Sequence, residues 1–493
     1  MFKSRRAGLL AAICTAGLLA GTAAPAFAES LADAIALAYQ TNPTLREQRA
    51  NLRALDESVV QARAGYRPEV SASVGYNIAY DRFGTPQGNV LTGIRDDQRG
   101  SSTSAGITVD QPLYTGGRVR SQISAARADV ETGRQNLRTV ESNVLSQVIQ
   151  FYVDVRRDIE ALRIADENVA VLQRQLDEAK ARFEVGEITR TDVAQAEARL
   201  AAAKSQQSAA RAQLAISRAN YASVVGQNPG DLEAEPSLAE LLPATIEEAF
   251  EMAEQNNPGL LAANYAEQAS RARVAQAKAA TRPSISLRGQ VDVSGSSPTN
   301  DPFDDFDRGV SGGINLSVPL FTGGQISSSI RQAQEQNNAD AAAIEGARRA
   351  AQQDVSQAWN QLMNARAALV SNEEQVRAAR IAFEGVRQEA QVGLRTTLDV
   401  LNAQQELRSA ELALINARRD EYLASAFVLA AIGKLEARWL TPDQTLYDPE
   451  ASYRKVYRSF GWVPWEPAVA AIDHVLAPRI GPAPEEAVKT ANK

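Results

Sequence analysis

The chain has 493 residues, with 52 Lys+Arg against 59 Asp+Glu, one His, one Cys, 44% apolar and only 6% aromatic residues. The balance is mildly acidic, so the concentrated basic footprint of a nucleic-acid binder is missing. One His and one Cys argue against a His/Cys metal centre or a disulfide framework. No nucleophile-base pair, phosphate-binding loop or metal cluster stands out, so an enzyme is the poorest fit and no cofactor is expected.

Lys3, Arg5 and Arg6 precede an apolar run from Ala7 to Ala20, and Ala26-Phe27-Ala28 fits a small-x-small cleavage site. Residues 1–28 therefore read as a secretory signal peptide. Its removal would take away Cys14, the only cysteine, and shift the net charge from −7 to −10 through loss of those three cations. A lipoprotein site at Cys14 fits poorly, because Ile13 is too bulky for the position before the cysteine and the apolar run would be cut in half. No later stretch approaches the ~20 apolar residues of a membrane-spanning helix. If the chain spans a membrane, it must do so as a closed β-barrel.

The remainder is duplicated. Ala34, Asn42-Pro43 and Arg67-Pro68 recur 215 residues later as Ala249, Asn257-Pro258 and Arg282-Pro283. Pro112-Leu113-Tyr114-Thr115-Gly116-Gly117 recurs 207 residues later as Pro319-Leu320-Phe321-Thr322-Gly323-Gly324, as do Val185-Gly186 and Asp192 at Val392-Gly393 and Asp399. The change of offset falls between these blocks, in loop-like segments where length varies freely. The expected units are a first repeat over 29–230, a second over 231–434 and a C-terminal extension over 435–493.

In each repeat a short leading helix is followed by one of about twenty residues (Thr44 to Ala64; Gly259 to Ala280). Two strands follow, at about 69–80 and 102–112 in the first repeat and about 284–294 and 309–319 in the second. A very long helix comes next (Gly117 to Val185; Gly324 to Val392), then a last helix (Thr191 to Val225; Thr397 to Ile432). Val148, Val155, Leu162, Val169, Leu176 and Phe183 form a heptad stripe, matched by Val355, Leu362, Leu369, Val376 and Phe383, which predicts coiled-coil packing. At ~1.5 Å per residue the long helix is roughly 100 Å, and the two shorter helices stacked end to end nearly match it. Each repeat therefore reads as two parallel helix columns projecting from a strand pair.

The strands alternate. Val70, Ala72, Val74, Tyr76, Ile78 and Tyr80 are interleaved with small and polar residues, and the other three segments behave alike. Alternation over about ten residues suits both a soluble sheet packed on helices and the wall of an outer-membrane barrel. The strands stand where the helix columns end, which leaves little helical surface to cover them. Tyr76, Tyr80, Phe83, Phe303 and Phe306 suit an interfacial aromatic belt. Four strands cannot close a barrel, so copies must associate, as two, three or four chains.

The duplicated layout, the Pro-Leu-aromatic-x-Gly-Gly turns at Pro112 and Pro319, the Val-Gly turns at Gly186 and Gly393, and Leu398-Asp399-Val400-Leu401-Asn402-Ala403 resemble the TolC-like family of outer-membrane channel-tunnels. The resemblance covers roughly Leu31 to Gly433. It implies an α+β membrane channel: a homotrimer whose twelve-stranded β-barrel in outer-membrane lipid continues into a twelve-helix coiled-coil tunnel across the periplasm. It also implies an exit duct for a drug-efflux pump or type I secretion system, working with a periplasmic adaptor and an inner-membrane transporter.

By the same resemblance the helical hairpins at the Val-Gly turns close the periplasmic end. Asp399 maps to an acidic constriction ring, and Asn402, one turn on, replaces a second position that is often acidic in relatives, which halves the ring charge. Thr191, Asp192 and Arg395 map to polar links between hairpins, while a tyrosine of some relatives is Ala390 here, which loosens the expected closed state. Gly186 and Gly393 map to adaptor-docking grooves.

Simpler structural roles exist for several of these residues. Thr189 with Asp192 and Thr396 with Asp399 fit helix-capping boxes, and the two glycines fit helix stops. Asp301, Asp304, Asp305 and Asp307 match no defined calcium loop and read as a solvated loop. The extension, with Trp439, Trp462, Trp465 and His474, is expected to pack partly on the tunnel exterior near its equator and to end in a disordered Pro-rich tail, with a partner-binding tail as the weaker alternative. The competing overall reading is a periplasmic coiled-coil scaffold or adaptor without a pore.

Overall fold

A computed structural model describes residues 29–82, 97–297, 306–442, 445–457, 461–475, 477, 478 and 480. The signal peptide with Cys14, together with Phe83, Asp301, Phe303, Asp304, Asp305 and the tail beyond 480, lies outside the described residues. The first half contains α1 (Leu31–Thr41), α2 (Pro43–Ala64), β1 (Glu69–Arg82), β2 (Asp97–Tyr114), α3 (Arg118–Glu184) and α4 (Arg190–Val225). The second repeats the order as α5 (Ile246–Asn256), α6 (Pro258–Ala279), β3 (Ser284–Ser297), β4 (Phe306–Ser317), α7 (Gln325–Gln391) and α8 (Thr397–Ala431). Among the described residues no helix is long and apolar enough to cross a membrane.

The shared Asn-Pro pair explains how the shorter helices stack. Pro43 occupies the first turn of α2, where no N–H is needed. Asn42 Oδ1 accepts from Thr44 N and Leu45 N, while Asn42 Nδ2 donates to Val224 O at the end of α4. A single side chain thus caps the start of one helix and the end of another. Asn257 repeats the arrangement, accepting from Leu260 N and donating to Ala431 O. The columns α4–α2 and α8–α6 run alongside α3 and α7.

The main core lies at mid-height, where α1, α5 and the inner ends of α4 and α8 gather around α3. Leu145, Ile149, Tyr152, Tyr221, Leu429, Ile432 and Leu435 are fully buried there. Toward the free ends of the hairpins the core thins to stripes of leucine and alanine, with Leu172, Leu176, Ala196 and Leu200 in one hairpin and Val376, Leu407 and Ala410 in the other.

The strands form one antiparallel sheet in the order β1-β2-β3-β4. Its register puts Ala72, Ile107, Val291 and Val310 in one row across all four strands, and Val70 and Val109 in the next. The intervening rows, such as Ser71, Thr108, Gln290 and Ser311, carry the polar face, where Arg288 pairs with Asp110 at 2.7 Å. Val70, Val74, Ile78, Val310 and Ile314 are exposed, so no helix covers the apolar face over them.

The strands run further than apolar alternation alone suggests, because backbone pairing continues through polar residues: β1 reaches Arg82 and β2 begins at Asp97. The twin Pro-Leu-aromatic-x-Gly-Gly turns differ. β2 pairs on both sides and continues past Pro112 through a register shift to Tyr114, whereas edge strand β4 stops at Ser317, two residues before Pro319, which has no N–H to donate.

The extension departs most from expectation. It begins at the mid-height core, where Leu435 and Ala437 are buried and Tyr447 N donates to Tyr39 Oη. It does not stay there. Helix α9 (Ala437–Leu440) leads to α10 (Pro449–Tyr457), which climbs along α2, and α11 (Glu466–Val475) ends against β2. Two acids hold it. Glu466 binds Arg63 at 2.6 Å and Arg67 at 3.1 Å, and Asp473 Oδ1 accepts from Thr115 N, Thr115 Oγ1 and Gly117 N in the first glycine-rich turn.

Candidate functional site

The candidate site lies at the free ends of the two helical hairpins, farthest from the sheet. Gly186 ends α3 with φ +76° and Gly393 ends α7 with φ +81°, a left-handed backbone that glycine adopts without a Cβ penalty. Gly186 N donates to Phe183 O and Glu187 N to Arg182 O; Gly393 N and Leu394 N repeat the pattern to Ala390 O and Glu389 O. These are Schellman stops. Their surroundings are open, with no heavy atom within 4 Å of a Cβ built on either glycine.

The next helices start on capping boxes. Asp192 Oδ2 accepts from Thr189 N at 2.9 Å and Thr189 Oγ1 at 2.8 Å. Asp399 Oδ2 accepts from Thr396 N at 3.0 Å and Thr396 Oγ1 at 2.8 Å. These bonds, together with the nearby Arg395 charge, hold the Asp399 carboxyl below its ordinary range. Asn402, one turn beyond Asp399 and exposed, accepts from Arg199 Nη2 at 3.3 Å, which ties α8 to α4.

Arg395 is engaged within its own hairpin. Its Nε donates to Glu389 Oε2 at 2.8 Å across the Gly393 turn, and within the chain no hydrogen bond joins it to Thr191 or Asp192. Thr191 is exposed in the first turn of α4. Leu401 crosses to the other hairpin and is buried with Leu176, Ala179 and Leu200. The site residues on α8 are therefore carried by a helix that touches both hairpins.

Sequence reasoning missed Glu389, Arg199 and the groove of about 420 Å³ between α3 and the α7–α8 hairpin, which is lined by Arg174, Arg182, Arg387, Arg395 and Glu178. Glu389 and Arg395 flank a glycine stop with opposite charge, a local signal that could have been read. Arg199 and Asn402 are 203 residues apart, and nothing in the sequence links them. Among the described residues no group of three or more His, Cys, Asp or Glu could hold a metal. What these residues offer is charge and hydrogen-bonding groups at the exposed hairpin tips.

A family profile described as "Outer membrane efflux protein" matches residues 34–227 and 249–434. The chain is 36% identical over 459 residues to the outer membrane efflux protein BepC of Brucella suis, covering 92% of this chain and 96% of that one. It is 30% identical over 419 residues to the outer membrane protein TolC of Vibrio cholerae, covering 83% and 92% respectively. Among solved structures, a membrane protein from Pseudomonas aeruginosa superposes with a TM-score of 0.70 at 22% identity, covering 83% of this chain and 92% of that chain.

Proposed function

We propose, from the premise that this chain belongs to the outer membrane efflux protein family, that three copies form an outer-membrane exit duct gated at the hairpin tips. Efflux and secretion channels work with a periplasmic adaptor and an inner-membrane transporter, so energy and cargo choice come from those partners. The duct does no bond chemistry. The observation that carries the reading is the four-stranded sheet with one apolar face, one polar face and two open edges, β1 and β4.

Open edges in lipid leave backbone groups unsatisfied. With alternating strand directions, β4 of one copy can pair antiparallel with β1 of the next, and three copies give twelve strands around a polar lumen. The second glycine-rich turn supports such a neighbour. Leu320 and Phe321 are 92% and 89% exposed, and α7 has no buried residue before Ala351. The matching turn in the first half is covered by α11. A neighbouring copy is the natural cover for the bare one.

At the tips, three copies of Asp399 form a carboxylate ring that attracts cations, with Asn402 as a neutral second ring. Asp192 and Thr191 on one hairpin and Arg395 on a hairpin of the neighbouring copy would supply polar links that hold the tips together. Gly186 and Gly393, with open space around them, are where an adaptor tip would seat. The test is the mass of the detergent-purified protein, with single-channel conductance on the same sample. A trimer with small, cation-dependent conductance is expected. A protein that runs as a soluble elongated dimer and never inserts would replace the duct with a periplasmic scaffold.

A further inference from the structure

The end of the extension lies at the rim where the sheet meets the helices, and its placement there is specific. Trp465 Nε1 donates to Gln111 Oε1 at 2.9 Å. Gln111 continues the apolar register of β2 beyond Ile107 and Val109, in the row of Leu287 and Ile314. The indole therefore sits on the lipid-facing side of the barrel wall, one row past Val109. Tyr66 Oη donates to Asp473 at 3.1 Å and fixes the far end of α11 to the same rim.

The inner side of α11 buries Glu466, Val469 and Asp473, while its outer side presents Ile472 and Val475, with Val475 81% exposed. Trp462, just before the helix, is 60% exposed. Apolar and tryptophan side chains left in the open beside a membrane-facing surface are the composition of an interfacial anchor. A groove of about 530 Å³ runs beside them, lined by Arg120, Arg127, Tyr457, Trp462, His474 and Ile480, among others. Arg120 and Arg127 are two turns apart on one flank of α3. Among the described residues neither makes an ion pair, and Glu466, which also lines the groove, is paired with Arg63 and Arg67. The groove thus carries a surplus of cationic side chains and aromatic rings, and its lining residues Trp462 and Glu466 flank Trp465, whose indole reaches Gln111 on the apolar strand face.

We propose that this groove binds an anionic phospholipid of the periplasm-facing leaflet, with Arg120 and Arg127 taking the headgroup phosphate and the acyl chains continuing onto the apolar strand face. This rests on the barrel reading above. Charge complementarity sets the sign of the headgroup, and the exposed Trp462, Ile472 and Val475 beside the groove, next to the strand face that Trp465 reaches, favour a lipid over a soluble anion. The extension then acts as a foot: it ties the tunnel wall to the leaflet beneath the barrel and sets the depth at which the channel sits.

The test uses the full chain in proteoliposomes whose channel conductance is recorded first, so that a failed barrel is seen separately from a failed foot. Tryptophan emission is then quenched by phospholipids brominated near the headgroup, supplied as phosphatidylglycerol or as phosphatidylcholine. Brominated phosphatidylglycerol is expected to quench more strongly, and Trp462→Phe combined with Trp465→Phe to remove much of that quenching, since Trp359 and Trp439 lie on other elements. Arg120→Gln and Arg127→Gln should each weaken the response to phosphatidylglycerol roughly fivefold, the effect of one cation near a charged leaflet. Equal quenching by both lipids, or none in vesicles that conduct, overturns the proposal. Relief of quenching by millimolar inorganic phosphate would reassign the groove to a free anion.

Discussion

Thr396 and Asp399 hold each other through both members of a capping box, so Asp399 is a helix cap before it is a ring charge. Its second oxygen remains available, so the cap leaves room for the proposed ring role on the same carboxylate. Asp399→Asn keeps an acceptor for Thr396 and removes the charge; it should leave the helix start intact while weakening block by multivalent cations, read as the blocking concentration in single-channel recordings. Unaltered block would place the constriction elsewhere.

The Glu389–Arg395 pair leads to a second comparison. If Arg395 serves the closed state through links to the neighbouring hairpin, Arg395→Ala raises conductance or antibiotic leak, as should Asp192→Ala. Glu389→Gln, which frees Arg395 from its own hairpin, should leave conductance low or lower it. A rise in all three would mean that the turn itself, not the link, was lost.

Asp56 reports on the foot from a distance. It is 1% exposed, on α2 beneath α10. Burial pushes its carboxyl up, opposed by Ser452 of α10 and the charge of Arg134. A folded value above the unfolded one, which is about 3.9, favours the protonated form in the fold. That contribution is full below the unfolded value and is lost as pH rises through the folded one. Asp56→Asn should therefore unfold at a temperature that changes less between pH 4 and pH 7 than wild type, as followed by circular dichroism.

At the level of elements, each stacked column depends on an asparagine that serves two helix ends. Removing it by Asn42→Ala or Asn257→Ala leaves donors at one helix start and a carbonyl at another helix end without partners, at about 1–2 kcal/mol each. The expected readout is a lower unfolding temperature with unchanged conductance of the folded channel. The thin leucine-alanine stripes toward the tips, against the dense core at mid-height, make the proposed gate less tightly packed than the middle of the molecule.

Across the whole molecule, duplication yields two similar halves that are finished differently. The first glycine-rich turn is closed by the chain itself, through Asp473. Among the described residues nothing covers the second, and its exposed apolar pair Leu320 and Phe321 suits the neighbouring copy proposed above. Phe321→Ser should lower the fraction of trimer at limiting protein concentration in detergent, measured by light scattering. Asp473→Ala should loosen the extension, measured as protease cleavage after Trp462, while leaving the trimer fraction unchanged. Loss of trimer in the second variant would mean that the foot also builds the interface.

Much of this architecture was legible because it is written in local, periodic signals. Heptads specify long helices, alternation specifies strands, and Asn-Pro, Val-Gly and Gly-Gly mark the joints, each through a backbone preference that acts within a few residues. The residue types at the tip were readable too, as capping boxes and glycine stops. Two things were decided only by the tertiary structure. One is the pairing of groups far apart in the chain, such as Arg199 with Asn402, Glu466 with Arg63, and Asp473 with the Thr115 turn. No periodicity encodes such partners, since their proximity comes from packing whole helices. The other is the course of the extension, which has no repeat to compare with and is steered by two buried acids whose partners lie some four hundred residues away. The sequence alone determined a duplicated wall of helices and strands; only the tertiary structure showed that the described part of the last segment climbs that wall to where the sheet meets the helices, because ion pairs and buried hydrogen bonds, unlike helical periods, acquire meaning only once their partners are in place.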